Sequence, residues 1–176
     1  MARRSTTFRL SHSTLVAAEP SLVERFVLDP GCFAAWRRGV RGEVQTSTPV
    51  LQLGTSIEFL GGFGPLRFPY VTIVSDHVPG ELLALRTTRG LVDLDVVTRW
   101  RAVDGGTLVE AHLDGRCTAA KARLLPFVRA AIDRDNQLDL ATLKRLLETG
   151  DFRFTVPSHL TPHPPRCTLE NPPDFV

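Results

Sequence analysis

Two neighbouring segments in the middle of the chain alternate between apolar and polar residues, and this pattern constrains the fold more than any other feature. In "LVDLDVVTRWRAV" and "TLVEAHLDGRC", Trp100 and Val109 belong to the apolar parity, and Arg99 and Glu110 to the charged one. Alternation with a period of two is typical of strands with one dry face and one wet face. The residues between the segments, 104–106, read Asp-Gly-Gly, a hairpin signal. The pattern therefore predicts an antiparallel pair with Trp100 and Val109 facing the core.

A long helix follows these strands. From residue 119 to about 148, leucines, valines, alanines and Ile132 recur at helical spacing, and Gly150 is placed to end the helix. Before the alternating pair, the pattern predicts a first strand over 6–18, a helix ended by Pro30-Gly31, a short helical turn "FAAW", and further strands. The dry face of so many strands needs a cover, and the long amphipathic helix is the one large candidate. The prediction is an α+β fold in which a curved antiparallel sheet wraps around a long C-terminal helix and leaves a gap between them.

The domain is predicted to span residues 1–150. Residues 151–176 hold six of the 13 prolines and no periodicity, which predicts an extended arm or a disordered end.

The cluster "GGFGP" contains Gly61, Gly62 and Gly64 and raises the question of a phosphate-binding loop. Such a loop lies between a strand and a helix. Here the residues that follow, "LRFPYVTIV", are typical of a strand. The cluster is therefore predicted to be a hairpin turn with glycines at positive φ. The alternative is a mobile lip of a pocket, with Phe63 exposed at its tip.

Composition excludes several classes of protein. The net charge is only +2, and no lysine- and arginine-rich run is present, which argues against a nucleic-acid partner. No apolar run is long enough to span a membrane, and no signal peptide precedes the first strand, so stable membrane insertion is not expected and the cytoplasm is the predicted location. Either a monomer or a homodimer is compatible with the sequence.

The cysteines and histidines do not predict a metal site or a disulfide framework. Cys32, Cys117 and Cys167 are far apart in the sequence, which predicts reduced thiols. His159, His163 and Cys167 are spaced four apart, but intervening prolines forbid the helix that would bring them together. We expect no metal and no other cofactor.

Three segments, "FVLDPGCFAAWRRGVRGEV", "VVTRWRAVDGGTLVEAHLDG" and "LLPFVRAAIDRDNQLDLATLKRLLE", resemble the START-like, helix-grip (SRPBCC) superfamily, and within it the polyketide cyclase/dehydrase and lipid-transport group. The resemblance implies a deep apolar cavity. Some members of that group are aromatase/cyclases that fold and dehydrate polyketide chains in specialised metabolism, and others bind or carry lipids, quinones or hormones without chemistry.

Two residues are candidates for catalysis, namely His77 and Asp135. In the aromatase/cyclases that the chain resembles, a pocket arginine precedes a Val-Pro pair, and here His77 stands in that place in "VSDHVPG". Asp135 interrupts the apolar stripe of the long helix, where a buried carboxyl group would have a raised pKa unless a cation lies nearby. The alternatives are a surface histidine and an ion-paired carboxylate.

The cavity wall is predicted from the face of each strand and of the helix. The alternative for the two tryptophans is packing in the core, and the sequence does not decide which way Tyr70 and Arg86 point. The predicted ligand-binding residues are Trp36, Phe59, Tyr70, Val71, Ile73, Arg86, Val96, Thr98, Trp100, Val109, Ala111, Phe127, Val128, Ala131 and Ile132.

The resemblance implies a polyketide cyclase/dehydratase-type enzyme acting on a hydrophobic small molecule, with these residues as its site. The alternatives are a non-catalytic protein that binds or transfers a lipid, a quinone or another hydrophobic ligand, and a stress-response protein that acts on a partner. Ionisable groups that converge inside the cavity would favour the enzyme, whereas a wholly apolar cavity would favour the carrier.

Overall fold

The computed structural model describes residues 5–63, 66–118, 125–154 and 167–169. The elements in chain order are strand β1 (Ser5–Val16), helix α1 (Pro20–Leu28), a 3-10 turn (Pro30–Cys32), helix α2 (Phe33–Trp36), strands β2 (Val40–Thr46), β3 (Ser56–Phe63), β4 (Leu66–Val78), β5 (Leu82–Arg89), β6 (Asp93–Val103) and β7 (Gly106–Thr118), helix α3 (Leu125–Thr149), and strands β8 (Phe152–Phe154) and β9 (Cys167–Leu169).

Strands β1 to β7 form one antiparallel sheet in the order β1-β7-β6-β5-β4-β3-β2. The strands from β2 to β7 follow one another as hairpins, so each lies beside its neighbour in the sequence. Strand β1 is the exception, because it pairs with β7 along its whole length, from Ser5 opposite Thr118 to Val16 opposite Thr107. The predicted helix-grip fold, a curved sheet closed by a long C-terminal helix, is confirmed.

The burial of strands β6 and β7 confirms the parity predicted from their alternation. Trp100 and Val109 lie opposite each other in the register and are buried, whereas Arg99 is exposed and Glu110 only half-buried. The turn between the strands has positive φ at Gly105 (83°). This conformation is one that glycine adopts without a steric penalty, which explains the residue type there.

Helix α3 covers the inner face of the sheet. It begins at Leu125 and ends before Gly150, whose φ of 72° stops the helix as predicted; the predicted first turns, 119–124, lie outside the described residues. Polar contacts attach the helix to β1. His12 Nε2 lies 2.7 Å from Asp133 Oδ1, and Glu148 Oε1 accepts the backbone N–H of Ala17 at 2.8 Å.

The beginning of the proline-rich tail packs on the domain. The rings of Phe152 and Phe154 make edge contacts with Phe26 at 4.9 and 6.4 Å, and the guanidinium of Arg25 lies 4.0 Å from the Phe154 ring centroid. The arm predicted to start at residue 151 is therefore anchored to α1 at its start.

Two further findings concern the described residues only. None of their helices combines the length and apolar character that crossing a bilayer requires. No group of three or more of their His, Cys, Asp and Glu side chains is arranged to hold a metal ion. His159 and His163 lie outside the described residues.

Candidate functional site

A cavity of about 190 Å³ lies between the sheet and the N-terminal half of α3. Its walls are mainly apolar, and polar side chains line two parts of it, one on the sheet and one on the helix. The apolar and glycine positions of the wall are Phe33, Gly39, Val40, Phe59, Gly61, Gly62, Phe68, Leu85, Leu91, Val92, Leu94, Val96, Leu113, Val128 and Ile132.

The cavity lies at one end of the domain because the two halves of α3 pack differently. In the C-terminal half, Leu140, Leu143, Leu146 and Leu147 are buried in a continuous core. In the N-terminal half, Val128 and Ile132 are only partly buried and line the cavity. The apolar stripe of the helix therefore fills the space at one end and leaves it open at the other.

Gly61 and Gly62 shape the cavity wall from within strand β3, and the prediction that they form a positive-φ turn is wrong. Neither has positive φ, and both pair with residues of β4. A Cβ atom at Gly61 would lie 2.7 Å from Cδ2 of Tyr70 and 2.9 Å from Cε2 of Phe68. The glycine is thus explained by the close approach of two aromatic rings. Gly64 lies outside the described residues, as does the side chain of Phe63.

The sheet contributes the first polar part of the wall. The hydroxyl of Tyr70 donates a hydrogen bond of 2.6 Å to the carbonyl of Val92 and is also hydrogen-bonded to Thr87. Burial raises the pKa of Tyr70 to about 12, so the phenol is neutral. Thr72 lies opposite Thr87 in the register, and its buried hydroxyl oxygen has no hydrogen-bond partner among the described residues.

Helix α3 contributes two carboxyl groups one turn apart. Oδ1 of Asp139 accepts the backbone N–H of Arg38 at 2.8 Å, and burial raises the pKa of Asp139 to about 7 despite that bond and the nearby Arg37. Burial also raises the pKa of Asp135, as expected from the sequence, although its Oδ1 lies 3.9 Å from Nε of Arg38. Arg134 and Arg41 oppose the shift at Asp135.

Arg37 supplies a cation beside these carboxyl groups. Its guanidinium lies over the rings of Trp36 and Phe33, at 4.4 and 5.0 Å from their centroids. Burial lowers the pKa of Arg37 to about 10, and Asp139 opposes that shift. The Nε atom is buried and has no hydrogen-bond partner among the described residues. The same is true of Nδ2 of Asn136, which lies on the cavity face of α3.

Six residues proposed from the sequence line this cavity, and the others lie elsewhere. Those in the wall are Phe59, Tyr70, Val96, Val128, Ile132 and Asp135. Five others are buried in the solid core instead, namely Trp36 of α2 and Thr98, Trp100, Val109 and Ala111 of the sheet.

The remaining predicted lining residues lie outside the cavity because their side chains point away from it. Val71 and Ile73 have the parity opposite to that of Tyr70 and Thr72, which face the cavity. Arg86 is exposed, and its Nε bonds Oδ1 of Asp95 at 2.8 Å. Phe127 is exposed over 72% of its surface, and Ala131 is half-buried on α3 beside the cavity face.

His77 lies beyond a register shift in strand β4 and does not line the cavity. The pairing of β4 with β5 shifts between Val74 and Asp76, and His77 lies opposite the buried Leu83. Its Nε2 atom is buried and has no hydrogen-bond partner among the described residues. The structure thus does not bring His77 and Asp135 together as two walls of one cavity.

The sequence reasoning missed Arg37, Asn136 and Asp139. The sequence did carry a signal for Asn136 and Asp139. They follow Ile132 by four and seven positions, a spacing that places all three on the same helix face. Arg37 carries no such signal, because it lies at the end of a four-residue helix.

A curved sheet closed by a long helix over a mainly apolar cavity defines a helix-grip protein with an internal ligand site. The sequence signature of the family described as "Polyketide cyclase / dehydrase and lipid transport" matches residues 7–148. The chain belongs to this family, and that membership supports a fold that binds hydrophobic ligands. No curated protein sequence matches the chain significantly.

Solved structures with little sequence identity share the fold. The Zhui aromatase/cyclase from Streptomyces sp. R1128 is 16% identical, with 81% of this chain and 94% of that chain covered and a TM-score of 0.67. The di-domain ARO/CYC StfQ from the steffimycin biosynthetic pathway is 9% identical, with 82% and 51% covered and a TM-score of 0.67. Ara h 8.0201 is 9% identical, with 82% and 99% covered and a TM-score of 0.64.

Proposed function

We propose that the protein is an enzyme of the polyketide cyclase/dehydratase type that acts on a hydrophobic carbonyl compound in this cavity. The observation that carries the proposal is the convergence of Arg37, Asp135 and Asp139 at one end of a mainly apolar site. Ionisable groups in such a site are costly to bury, and perturbed pKa values in a cleft are typical of catalytic groups. A protein that only carries an apolar ligand has no need of them.

Asp139 is the candidate proton-transfer group in place of the His77–Asp135 pair. A pKa of about 7 means that both its ionised and its protonated forms are populated at neutral pH, which suits general acid–base catalysis. Its Oδ1 is held by the backbone N–H of Arg38, so Oδ2 is the atom left to exchange a proton with a ligand.

The chemistry needs no oxidant or cofactor. Ionised Asp139 removes a proton from a carbon next to the substrate carbonyl, and the C–H electron pair becomes the enolate, whose oxygen the guanidinium of Arg37 stabilises. The enolate carbon can attack a second carbonyl of the same molecule and close a ring. Protonated Asp139 gives its proton to the alkoxide that this attack forms, which becomes a β-hydroxyl group. The carboxylate, ionised again, removes the second proton from the same carbon and returns it to that hydroxyl group, which leaves as water while the C=C bond forms.

The rival function is a carrier of a lipid, a quinone or another hydrophobic ligand. The mainly apolar wall and the lipid-transport part of the family description favour it. The volume of about 190 Å³ is below the range of about 300–1,000 Å³ usual for drug-sized ligands, and it limits the ligand equally for both functions. What stands against the carrier is the group of ionisable side chains in the wall.

The test uses a β-hydroxy ketone that carries one phenyl ring, because its dehydration forms a conjugated enone with a strong ultraviolet absorbance. We expect turnover by the wild type and a loss of about 10²- to 10⁴-fold in Asp139→Asn, with ligand binding changed by only a few-fold. Asp133→Asn is the matched control, since Asp133 lies on the same helix, contacts His12 and does not line the cavity.

Two results would contradict the proposal. Binding without turnover for this and for related β-hydroxy and β-diketone compounds would support the carrier. Wild-type turnover in Asp139→Asn would place the chemistry on other residues.

A further inference from the structure

The two edges of the seven-stranded sheet differ in how they are protected against pairing with another strand. Strand β2 has seven residues, is interrupted by a register shift between Arg41 and Gln45, and contains Gly42 at a φ of 71°. Strand β1 has 12 residues and pairs with β7 without a register shift. Short strands and bulges protect an edge, whereas a long regular edge is a template for a further strand. Since no described strand lies on its other side, β1 is the edge open to pairing.

Three contacts show which backbone groups of β1 face its open edge. Nζ of Lys144 donates to the carbonyl of Leu15 at 2.6 Å, and the N–H of Ala17 donates to Glu148. The carbonyl of Val16, in contrast, lies against the first residue of β7. In an antiparallel ladder the N–H and C=O of one residue point to the same side, and that side alternates along the strand. The residues with N–H and C=O groups at the open edge are therefore Thr7, Arg9, Ser11 and Ser13.

Residues 7–13 form the open stretch of this edge, and its odd-numbered side chains are exposed. Among the described residues, side chains of α3 bond the backbone of β1 only at positions 15 and 17. The Arg9 side chain is 88% exposed and bonds Oδ1 of Asp114 on β7 at 2.7 Å, so its charge is partly offset. His12 points to the inner face, where it contacts Asp133. The stretch has neither the lysine nor the proline that protects many natural edge strands.

A second copy of the chain fits this edge better than an unrelated peptide does. No described residue of β1 lines the cavity, so the edge offers a peptide backbone groups but no pocket to select its side chains. The open stretch is centred on Leu10, about which two antiparallel copies can pair. Thr7 of one copy then lies opposite Ser13 of the other. Arg9 likewise lies opposite Ser11, and the free N–H and C=O groups of each copy meet those of the other.

The neighbouring registers are less favourable. Pairing about Arg9 would place two arginines directly opposite each other, and like charges in that position are destabilising. Pairing about Ser11 would place Thr7 opposite Leu15, whose carbonyl already accepts a bond from Lys144. The charge and the occupied carbonyl therefore both favour the register centred on Leu10.

We propose that two copies of the chain associate by antiparallel pairing of their β1 strands about Leu10, so that one sheet continues through the dimer. Such an interface is isologous, with the same surface of each copy related by a two-fold axis. The proposal does not depend on the function proposed for the cavity. Because the contact is centred on one strand pair, we expect a reversible dimer whose population rises with protein concentration.

Amide exchange followed by NMR locates the contact at single residues. The N–H groups of Phe8, Leu10 and His12 face β7 and should be protected at every protein concentration. Those of Arg9 and Ser11 should exchange freely in dilute protein and become protected as the dimer forms. At about ten times the dissociation constant, about one fifth of the protein is monomeric, so exchange there should be about fivefold slower than in the monomer. Sedimentation velocity over the same concentrations gives the dissociation constant.

Two substitutions at one position separate the backbone contact from the side chain. Ser11→Pro removes the N–H that faces the open edge, and proline is tolerated at such positions of edge strands. Ser11→Ala is the matched control, because both variants lose the 3.0 Å contact of Ser11 Oγ with Nδ1 of His112, but alanine keeps the N–H. The two-fold axis repeats the loss, so Ser11→Pro should raise the dissociation constant about tenfold or more, and Ser11→Ala should change it less than about threefold.

Three results would overturn the proposal. One is a wild type that stays monomeric in sedimentation up to about 1 mM, where even a weak dimer is populated. Another is a dimer whose formation protects no odd-numbered amide of the open stretch, since the contact would then lie elsewhere. The last is a folded Ser11→Pro variant that dimerises as tightly as Ser11→Ala. The exchange pattern is measured on the wild type, so it decides the question even if Ser11→Pro does not fold.

Discussion

Replacing Asp139 by asparagine should remove a large part of the pH dependence of stability. Burial raises the pKa of this carboxyl group from 3.8 to about 7 in the folded protein. The folded state then binds the proton more tightly than the unfolded chain does, so the free energy of unfolding falls as the pH rises between these two values. At about 1.4 kcal/mol for each pH unit, the full effect is about 4 kcal/mol.

Between pH 5 and pH 8, Asp139 should contribute about 2.5 kcal/mol of that loss. The rest is lost below pH 5, where this carboxyl group ionises in the unfolded chain but stays nearly fully protonated in the folded state. Asparagine resembles the protonated side chain and keeps an oxygen that can accept the Arg38 N–H. Asp139→Asn should therefore exceed the stability of the wild type by about 1.5 kcal/mol at pH 5 and by about 4 kcal/mol at pH 8.

The measurement is urea unfolding of both proteins at pH 5 and pH 8, with the free energies extrapolated to water. Asp104→Asn is the matched control, since Asp104 is exposed in the β6–β7 turn and asparagine before glycine also suits a hairpin turn. The reasoning is refuted if Asp139→Asn loses as much stability between the two pH values as the wild type and the control do.

Four further substitutions test the packing. Trp100→Ala should lower the free energy of unfolding by about 3–5 kcal/mol in urea unfolding, because Trp100 is 1% exposed; a loss below 1 kcal/mol would contradict its place in the core. Gly61→Val should destabilise by about 1–3 kcal/mol, since its Cβ would meet Tyr70; unchanged stability would refute that contact. Tyr70→Phe leaves the carbonyl of Val92 without its donor and should lower the free energy of unfolding by about 1–3 kcal/mol; a more stable variant would argue against the bond. Ile132→Trp should abolish the binding of an apolar fluorescent dye by filling the cavity, and full binding by a folded variant would count against the site.

The sequence determined the fold well because its signals are local. The alternation around Trp100 and Val109 fixed which face of the sheet is buried, and the glycine at position 150 fixed the end of the long helix. The first signal depends on the period of a strand and the second on the glycine that ends a helix, and the chain carries both wherever those elements lie.

The cavity was harder to place because a shared face does not tell whether the space beneath it is filled. Val96 and Trp100 have the same parity in β6, yet Val96 lines the cavity and Trp100 lies in the core. The register shift between Val74 and Asp76 is likewise invisible in the apolar pattern, although it determines where His77 points. Arg37 enters the site only through tertiary packing.

The pairing of the first strand with the last strand of the sheet has a consequence for synthesis on the ribosome. Among the strands that the structure describes, β1 pairs with β7 alone, and Ser5 pairs with Thr118. At about 5–20 residues per second, the chain must grow for roughly 5–20 seconds after β1 is made before that partner exists. During this interval Phe8, Leu10 and Val16 belong to a strand with two open edges, the kind of segment that pairs with other chains. The nascent protein is therefore most prone to aggregate before β7 is complete, and a ribosome-associated chaperone that shields β1 would raise the yield of folded protein.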